Sequence, residues 1–195
     1  MLKRTKGYFL LTMLVLTGLA GRMDTNILTT KERHALVVDL KTSRNDFLKT
    51  VETLTPKQLN FRGNKTSPSI KACIYRLVSI ENNLWSLSQT ALSQENPSLK
   101  RTCADEDLSS LVQQKTFPYD DIKFKNVPEA LKLFKTVRVD ILKYVHTSTE
   151  DVRGHLSQTS MGNFDAYQLM LLNTIYCNHF LQQIEAIKSQ RNFPK

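Results

Sequence analysis

The sequence NFDAYQLMLLNTIYCNHFLQQIEAIK, residues 163–188, is the most informative segment for the architecture. Apolar side chains recur in it every three or four residues, which is the spacing of an α-helix. One face carries Leu169, Leu172, Tyr176, Phe180, Ile184 and Ile187, and a second apolar edge carries Phe164, Leu171 and Ile175. A helix on the surface of a domain needs only one apolar stripe. The pattern therefore predicts a helix, from about residue 163 to just before residue 192, at the centre of a bundle.

Three earlier segments have the same helical spacing. The first begins at Thr30 and ends at Pro56, the second covers residues 68–91, and the third begins near Pro128. A long connection, residues 94–127, contains a short predicted helix at residues 105–114, and no segment shows the sustained alternation of a strand. The sequence therefore predicts an all-α four-helix bundle with a long crossover between helices 2 and 3.

Two charged residues interrupt the apolar stripes of these helices. Glu81 lies within the stripe of the second helix, and Arg138 lies within that of the third. Because buried charges are normally paired, we expect an interhelical ion pair between them. The alternative, Glu81 as a general base, needs an activated water or a metal that the sequence does not supply.

The first twenty residues are typical of a bacterial export signal. Lys3, Arg4 and Lys6 precede an apolar run at residues 7–20, which ends in small residues that suit a signal peptidase. As a helix this run spans only ~21 Å, less than the ~30 Å hydrocarbon core of a bilayer. We therefore expect a signal peptide at residues 1–20 and a periplasmic or secreted domain at residues 28–194. The chain would be membrane-anchored if the signal is not cleaved.

Composition narrows the classes of partner. Lysine and arginine outnumber aspartate and glutamate by 27 to 18, for a formal charge of +9, but the bases are dispersed, which argues against nucleic-acid binding. The three cysteines, Cys73, Cys103 and Cys177, show neither a zinc-knuckle nor a C-x-x-C spacing. An odd count leaves at least one thiol free unless chains pair, and a Cys73–Cys177 disulfide after export stays open. A homodimer is compatible with the broad apolar faces.

Several short motifs, in this order and spacing, resemble the DinB superfamily. They are SIK at residues 69–71, IENNLW at 80–85, DAYQ at 165–168, QIEAIK at 183–188 and NFP at 192–194. The resemblance implies a four-helix bundle of the DinB/YfiT type. It also implies a divalent metal, often zinc or nickel, bound by three histidines, with hydrolase or thiol-transferase activity. The histidine positions correspond here to Arg76, Tyr176 and Phe180.

None of these three side chains is a good ligand for a divalent metal. Arg76 stays protonated and offers only hydrogen-bond donors, while Phe180 has no lone pair. Tyr176 would have to bind as a phenolate, against a pKa near ~10. We therefore expect no metal at the inherited site. A guanidinium stacked on the ring of Tyr176 or Phe180 would replace the ion with a fixed charge.

Three functions remain open from the sequence. The first is an exported, non-catalytic DinB-like domain that acts as a scaffold or interaction module. The second is a protein that binds a small anion, such as a carboxylate, phosphate or sulfonate, at an accessible Arg76. The third is a DinB-type metalloenzyme whose site has been rebuilt from Cys73, Cys177 and His179.

Overall fold

The structure is a computed structural model that describes residues 27–64, 66–94, 99–115 and 117–195. The predicted signal peptide, residues 1–20, lies outside the described residues. Among the helices of the described part, none is long and apolar enough to cross a membrane.

The described chain is mostly helical. In chain order, the helices are α1 (Thr30–Val51), α2 (Pro56–Asn60), α3 (Ile70–Leu92), α4 (Leu108–Gln114), α5 (Val127–Thr147) and α6 (Ala166–Lys188). A single 3₁₀ turn, Asp105–Asp107, leads into α4. The four long helices and the crossover with its short helix follow the prediction from the sequence. The short helix α2 was not predicted, because Pro56 was interpreted only as the end of α1. In the structure Pro56 occupies the first turn of α2, where its missing N–H costs nothing.

Polar caps fix where the helices begin. The Thr29 hydroxyl accepts a hydrogen bond from the backbone N–H of Glu32, and the Glu32 carboxylate accepts one from the backbone N–H of Thr29. At α6 the same reciprocal arrangement joins Asp165 and Gln168. Each capping box satisfies N–H groups that have no partner inside the helix. The caps therefore fix the first residues of α1 and α6.

The four long helices form a closed ring of contacts. α1 packs against α5, α5 against α3, α3 against α6, and α6 against α1. Among the four long helices, α1 and α3 are consecutive in the chain, and so are α5 and α6. Each of these two pairs nevertheless lies on opposite sides of the ring. Two clusters of buried apolar residues fill the interior. Most of the large apolar side chains are thus removed from water, which is the main stabilising contribution to the fold.

A small hairpin precedes α6 and corrects two expectations from the sequence. Strands β1 (Leu156–Thr159) and β2 (Gly162–Asp165) pair in antiparallel register, and α6 begins at Ala166 rather than near residue 163. Gly162 has φ 138°, a conformation that side-chain-bearing residues rarely adopt. Each strand has only four residues, which is too short for a period-two pattern to be recognised. The fold is therefore a mostly helical bundle with a two-stranded hairpin.

Candidate functional site

Arg76 lies on α3 at the boundary between the core and the solvent. The Ser69 hydroxyl caps α3 by accepting a hydrogen bond from the N–H of Ala72, at 3.2 Å. The neighbours Cys73 and Leu77 are buried, whereas Arg76 is exposed. Its Nε donates a hydrogen bond to the phenol oxygen of Tyr119 in the crossover, at 3.0 Å. The guanidinium is therefore oriented toward the crossover and leaves its two Nη groups for another partner.

A cavity of about 270 Å³ opens beside the Arg76 side chain. We call it the Arg76 pocket, and its walls include Cys73, Tyr75 and Arg76 from α3, Tyr119 and Asp121 from the crossover, and Phe180 from α6. Asp121 forms a solvent-exposed ion pair with Lys123. The pocket therefore combines aromatic walls with a guanidinium that has no carboxylate partner among the described residues.

Tyr176 is buried, and its hydrogen-bond partner is the crossover and not Arg76. Its hydroxyl accepts a hydrogen bond from the backbone N–H of Phe117, at 2.9 Å, and its ring meets the Phe117 ring edge-on at a centroid distance of 6.3 Å. Burial raises the pKa of Tyr176 to about 12. A phenol with this pKa and this partner is a neutral anchor, and it is a poorer metal ligand than a free tyrosine.

Phe180 is buried and lines the same pocket as Arg76. In the described chain, the guanidinium groups that lie over aromatic rings are Arg138 over Phe134, at 5.3 Å, and Arg153 over Tyr167, at 4.1 Å. Arg76 makes its contact with the Tyr119 hydroxyl instead. From the sequence, Arg76 was expected to stack on Tyr176 or Phe180. In the structure it instead donates a hydrogen bond to Tyr119.

Comparison with solved structures shows which architecture this is. YfiT from Bacillus subtilis, described as a probable metal-dependent hydrolase with an unusual four-helix bundle topology, matches with a TM-score of 0.63. The match covers 86% of this chain and 91% of that chain, at 14% sequence identity. The chain has a YfiT-like fold. No protein-family model and no curated protein sequence matches it. At this identity the likeness concerns the fold, and function has to be argued from the residues of the site.

In this YfiT-like bundle, the residues at the three positions where the DinB resemblance implies histidine ligands do not suit a divalent metal. Arg76 brings a fixed positive charge, Tyr176 a bonded neutral phenol and Phe180 a hydrocarbon ring. A divalent metal needs ligands that are available in their deprotonated, electron-donating form near neutral pH, and none of these three side chains is. Over the residues that the structure describes, no three His, Cys, Asp or Glu side chains are grouped as a metal site would need.

Cys73, Cys177 and His179, the residues of a rebuilt site, do not form such a group in the described chain. Burial raises the pKa of Cys73 to about 11 and that of Cys177 to about 12, so both thiols stay protonated at neutral pH. His179 lines a different cavity, of about 250 Å³, and its Nε2 lies 2.7 Å from Nε2 of Gln183. Burial lowers the pKa of His179, so it is a neutral, half-buried residue. The three cysteines form no disulfide in the structure.

Glu81 and Arg138 are brought together at the centre of the bundle. Arg138 Nε lies 2.8 Å from Glu81 Oε2, and Nη2 lies 2.6 Å from Oε1, with both side chains fully buried. The remaining guanidinium donors bind the carbonyl oxygens of Leu40 and Asn173 and the hydroxyl of Ser43. Burial, the largest single influence, opposes the charge on Arg138, but the interactions with Glu81 and Cys177 together outweigh it and raise the pKa of Arg138. Since both oxygens of Glu81 accept from Arg138, the pair is suited to structure rather than to base catalysis.

A second polar network, at the end of the bundle where α6 begins, was not predicted from the sequence. Arg153 lies 2.6 Å from Glu32 and 2.8 Å from Asp105, and it also reaches Asp165 at 3.5 Å. Its guanidinium stacks on the ring of Tyr167. The network joins α1, the crossover and the N-terminus of α6. The DAYQ motif was interpreted only as part of the family resemblance, and no spacing rule in the sequence connects Arg153 with it.

Proposed function

We propose that this protein is a DinB-like bundle without the family's metal site, that it is not an enzyme, and that it binds a small organic carboxylate at Arg76. The observation that supports this proposal most is the exposed guanidinium of Arg76, with free Nη groups, in the wall of a pocket. The resemblance to the DinB superfamily implies that a histidine metal ligand would stand at this position. A fixed cation there favours an anion over a metal ion.

The shape of the Arg76 pocket favours a carboxylate that carries one ring. Three aromatic side chains, Tyr75, Tyr119 and Phe180, contribute to its walls, and about 270 Å³ is slightly below the usual range of ~300–1,000 Å³ for ligand pockets. The Tyr119 hydroxyl accepts from Arg76 and keeps its own proton to donate. A carboxylate would then bind Arg76 and Tyr119 together, and an aromatic ring would pack against the apolar wall.

Isothermal titration with acetate, phosphate and benzoate tests the proposal. We expect benzoate to bind, and we expect Arg76→Gln to weaken its binding ~10-fold or more, because hydrogen bonds to charged groups contribute ~1.5–3 kcal/mol. Arg44→Gln, which removes an arginine of α1 outside the pocket, is the matched control and should leave the affinity unchanged. If no anion of the panel binds, the scaffold or interaction module is the better description.

The absence of a metal is tested separately. Protein purified without a chelator or a histidine tag is expected to contain no stoichiometric zinc or nickel, because its inherited ligand positions carry Arg76, Tyr176 and Phe180. Metal at one equivalent per chain, retained in Arg76→Gln and lost when Cys73 or His179 is replaced, would instead support a rebuilt metalloenzyme.

The proposal includes export, which rests on the basic residues at positions 3, 4 and 6 and the apolar run at residues 7–20. Expression of the full chain in a secreting bacterial host, followed by mass measurement, tests it. We expect a mature chain that begins after Ala20 in the periplasm or the medium. An intact chain in the membrane fraction would mean an uncleaved anchor, and an intact chain in the cytoplasm would contradict export.

A further inference from the structure

A second cavity, of about 610 Å³, lies between the C-terminal end of α1 and the N-terminal turns of α5. We call it the α1–α5 cleft. It shares no lining residue with the Arg76 pocket, and its volume falls within the usual range for ligand sites, ~300–1,000 Å³. Neither the DinB resemblance nor the carboxylate site assigns it a role.

The wall of the cleft is mostly apolar because two helix ends meet there. α1 ends at Val51, and the chain then turns through Leu54 into the short helix α2, which contributes Leu59. α5 contributes Val127, Pro128 and Leu131. Val51, Val127 and Leu131 are also part of the main core, so the wall is fixed by the packing of the bundle. The cleft therefore presents a preformed surface that would favour hydrocarbon over water.

Charged side chains at this cleft carry a positive excess. Lys132 and Lys135 of α5 line it together with Glu52, the residue that follows α1. Lys135 Nζ lies 2.6 Å from Glu52 Oε1, whereas Lys132 has no acidic partner among the described residues. Two ammonium groups and one carboxylate leave one positive charge beside an apolar wall. This combination complements a molecule with a hydrocarbon chain and an anionic head.

We propose that the α1–α5 cleft binds a medium-chain aliphatic carboxylate, with its hydrocarbon chain against the apolar wall and its carboxylate at Lys132 and Lys135. The carboxylate of the ligand would compete with Glu52 for Lys135. Glu52 is therefore a negative determinant of affinity, and removing its charge should strengthen binding. A purely structural Glu52–Lys135 pair would not produce this effect.

Titration of the mature domain with acetate, octanoate and decanoate, all below micelle formation, tests the proposal. We expect acetate not to bind at the cleft, and we expect affinity to rise by up to about fourfold for each methylene added between octanoate and decanoate. Decyltrimethylammonium, which has the same chain and the opposite charge, should bind more weakly than decanoate. Affinity that does not depend on chain length, or tighter binding of the cation, would overturn the proposal.

Three variants separate the cleft from a non-specific surface. Lys132→Gln should weaken decanoate binding about two- to fivefold, and Glu52→Gln should strengthen it by a similar factor, since both act through partly exposed charges. Lys143→Gln, an exposed position of α5 outside the cleft, should have no effect. Lys132→Gln should weaken decanoate binding by the same factor in an Arg76→Gln background, which distinguishes this site from the Arg76 pocket. Loss of affinity in Glu52→Gln with an unchanged melting temperature would contradict the assigned role of Lys135.

Discussion

The guanidinium of Arg138 has five N–H donors, and the structure supplies five acceptor contacts for them. Two are the oxygens of Glu81, and the others come from Leu40, Ser43 and Asn173. A buried charge is tolerated only when its hydrogen bonds are satisfied, because its desolvation costs several kcal/mol. Keeping both residues and removing one of them therefore have very different effects on stability. The intact pair adds little net stability, but either residue alone would be a buried, uncompensated charge.

Removing one member of the pair should therefore destabilise the protein more than removing both. We expect Arg138→Met or Glu81→Met to lower the free energy of unfolding by ~3–5 kcal/mol, and Glu81→Met combined with Arg138→Met to recover most of that loss. Urea denaturation of the three variants and the wild type measures the effect. Costs that simply add in the double variant would show that the two residues do not act as a pair.

At the scale of the elements, a buried hydroxyl of α6 is one of the groups that hold the crossover between α3 and α5. Tyr176 of α6 accepts a hydrogen bond from the backbone N–H of Phe117, and two residues later Tyr119 accepts one from Arg76. Helix α6, which carries Tyr176, thus holds the segment that orients Arg76. The Arg76 pocket exists in this form because the crossover is held against α6.

Tyr176→Phe should loosen the crossover without removing the ring. The N–H of Phe117 would lose its protein partner, and we expect a cost of ~1–3 kcal/mol in the free energy of unfolding. Amide hydrogen exchange at Phe117 should become faster, and benzoate should bind more weakly. Tyr75→Phe removes a hydroxyl for which the described structure gives no hydrogen bond, so exchange at Phe117 should not change. Equal exchange rates in Tyr176→Phe and the wild type would contradict the anchoring role.

The N-terminus of α6 should make stability depend on pH. Burial raises the pKa of Asp165 to about 6, and the hydrogen bond from Gln168 and the charge of Arg153 only partly oppose it. The folded protein then binds the Asp165 proton more tightly than the unfolded chain, so this group's contribution to stability falls as pH rises from about 4 to about 6. The loss amounts to about 3 kcal/mol at neutral pH, by the rule of ~1.4 kcal/mol per pKa unit.

Asp165→Asn should remove this dependence and keep the helix cap, since asparagine caps helices as well as aspartate does. Between pH 4 and pH 7 the variant should gain stability relative to the wild type, as measured by thermal or urea unfolding in a series of buffers. Asp140→Asn, on the exposed side of α5, serves as the control and should track the wild type. Parallel curves for Asp165→Asn and the wild type would show that Asp165 does not titrate in this range.

For the whole molecule, the sequence predicts what depends on local periodicity. The four long helices were found because their apolar residues repeat every three or four positions. The hairpin was missed because four-residue strands give no usable pattern, and α6 was started too early because Phe164, a strand residue, also fits the helical stripe. Short elements of this kind are specified by tertiary contacts.

The candidate site could be predicted only in part, for the same reason. Glu81 and Arg138 stood out because each is a charge inside an apolar stripe. The contact of Arg76 with Tyr119 and that of Arg153 with Glu32 join residues far apart in the chain, and no spacing rule connects them. From the sequence, Arg76, Tyr176 and Phe180 could be singled out as departures from the histidines that the DinB resemblance implies. The partners of Arg76 and Tyr176 lie in the crossover, so they can be identified only from the folded structure.

The acceptors around Arg138 come from α1, α3 and α6, while Arg138 itself belongs to α5. One side chain therefore connects all four long helices. In any lineage that keeps this fold, a mutation at position 81 alone or at position 138 alone would be selected against until the other position also changed. Descendants of this sequence should accordingly carry both charges or neither, and intermediates with a single charge should be rare and short-lived.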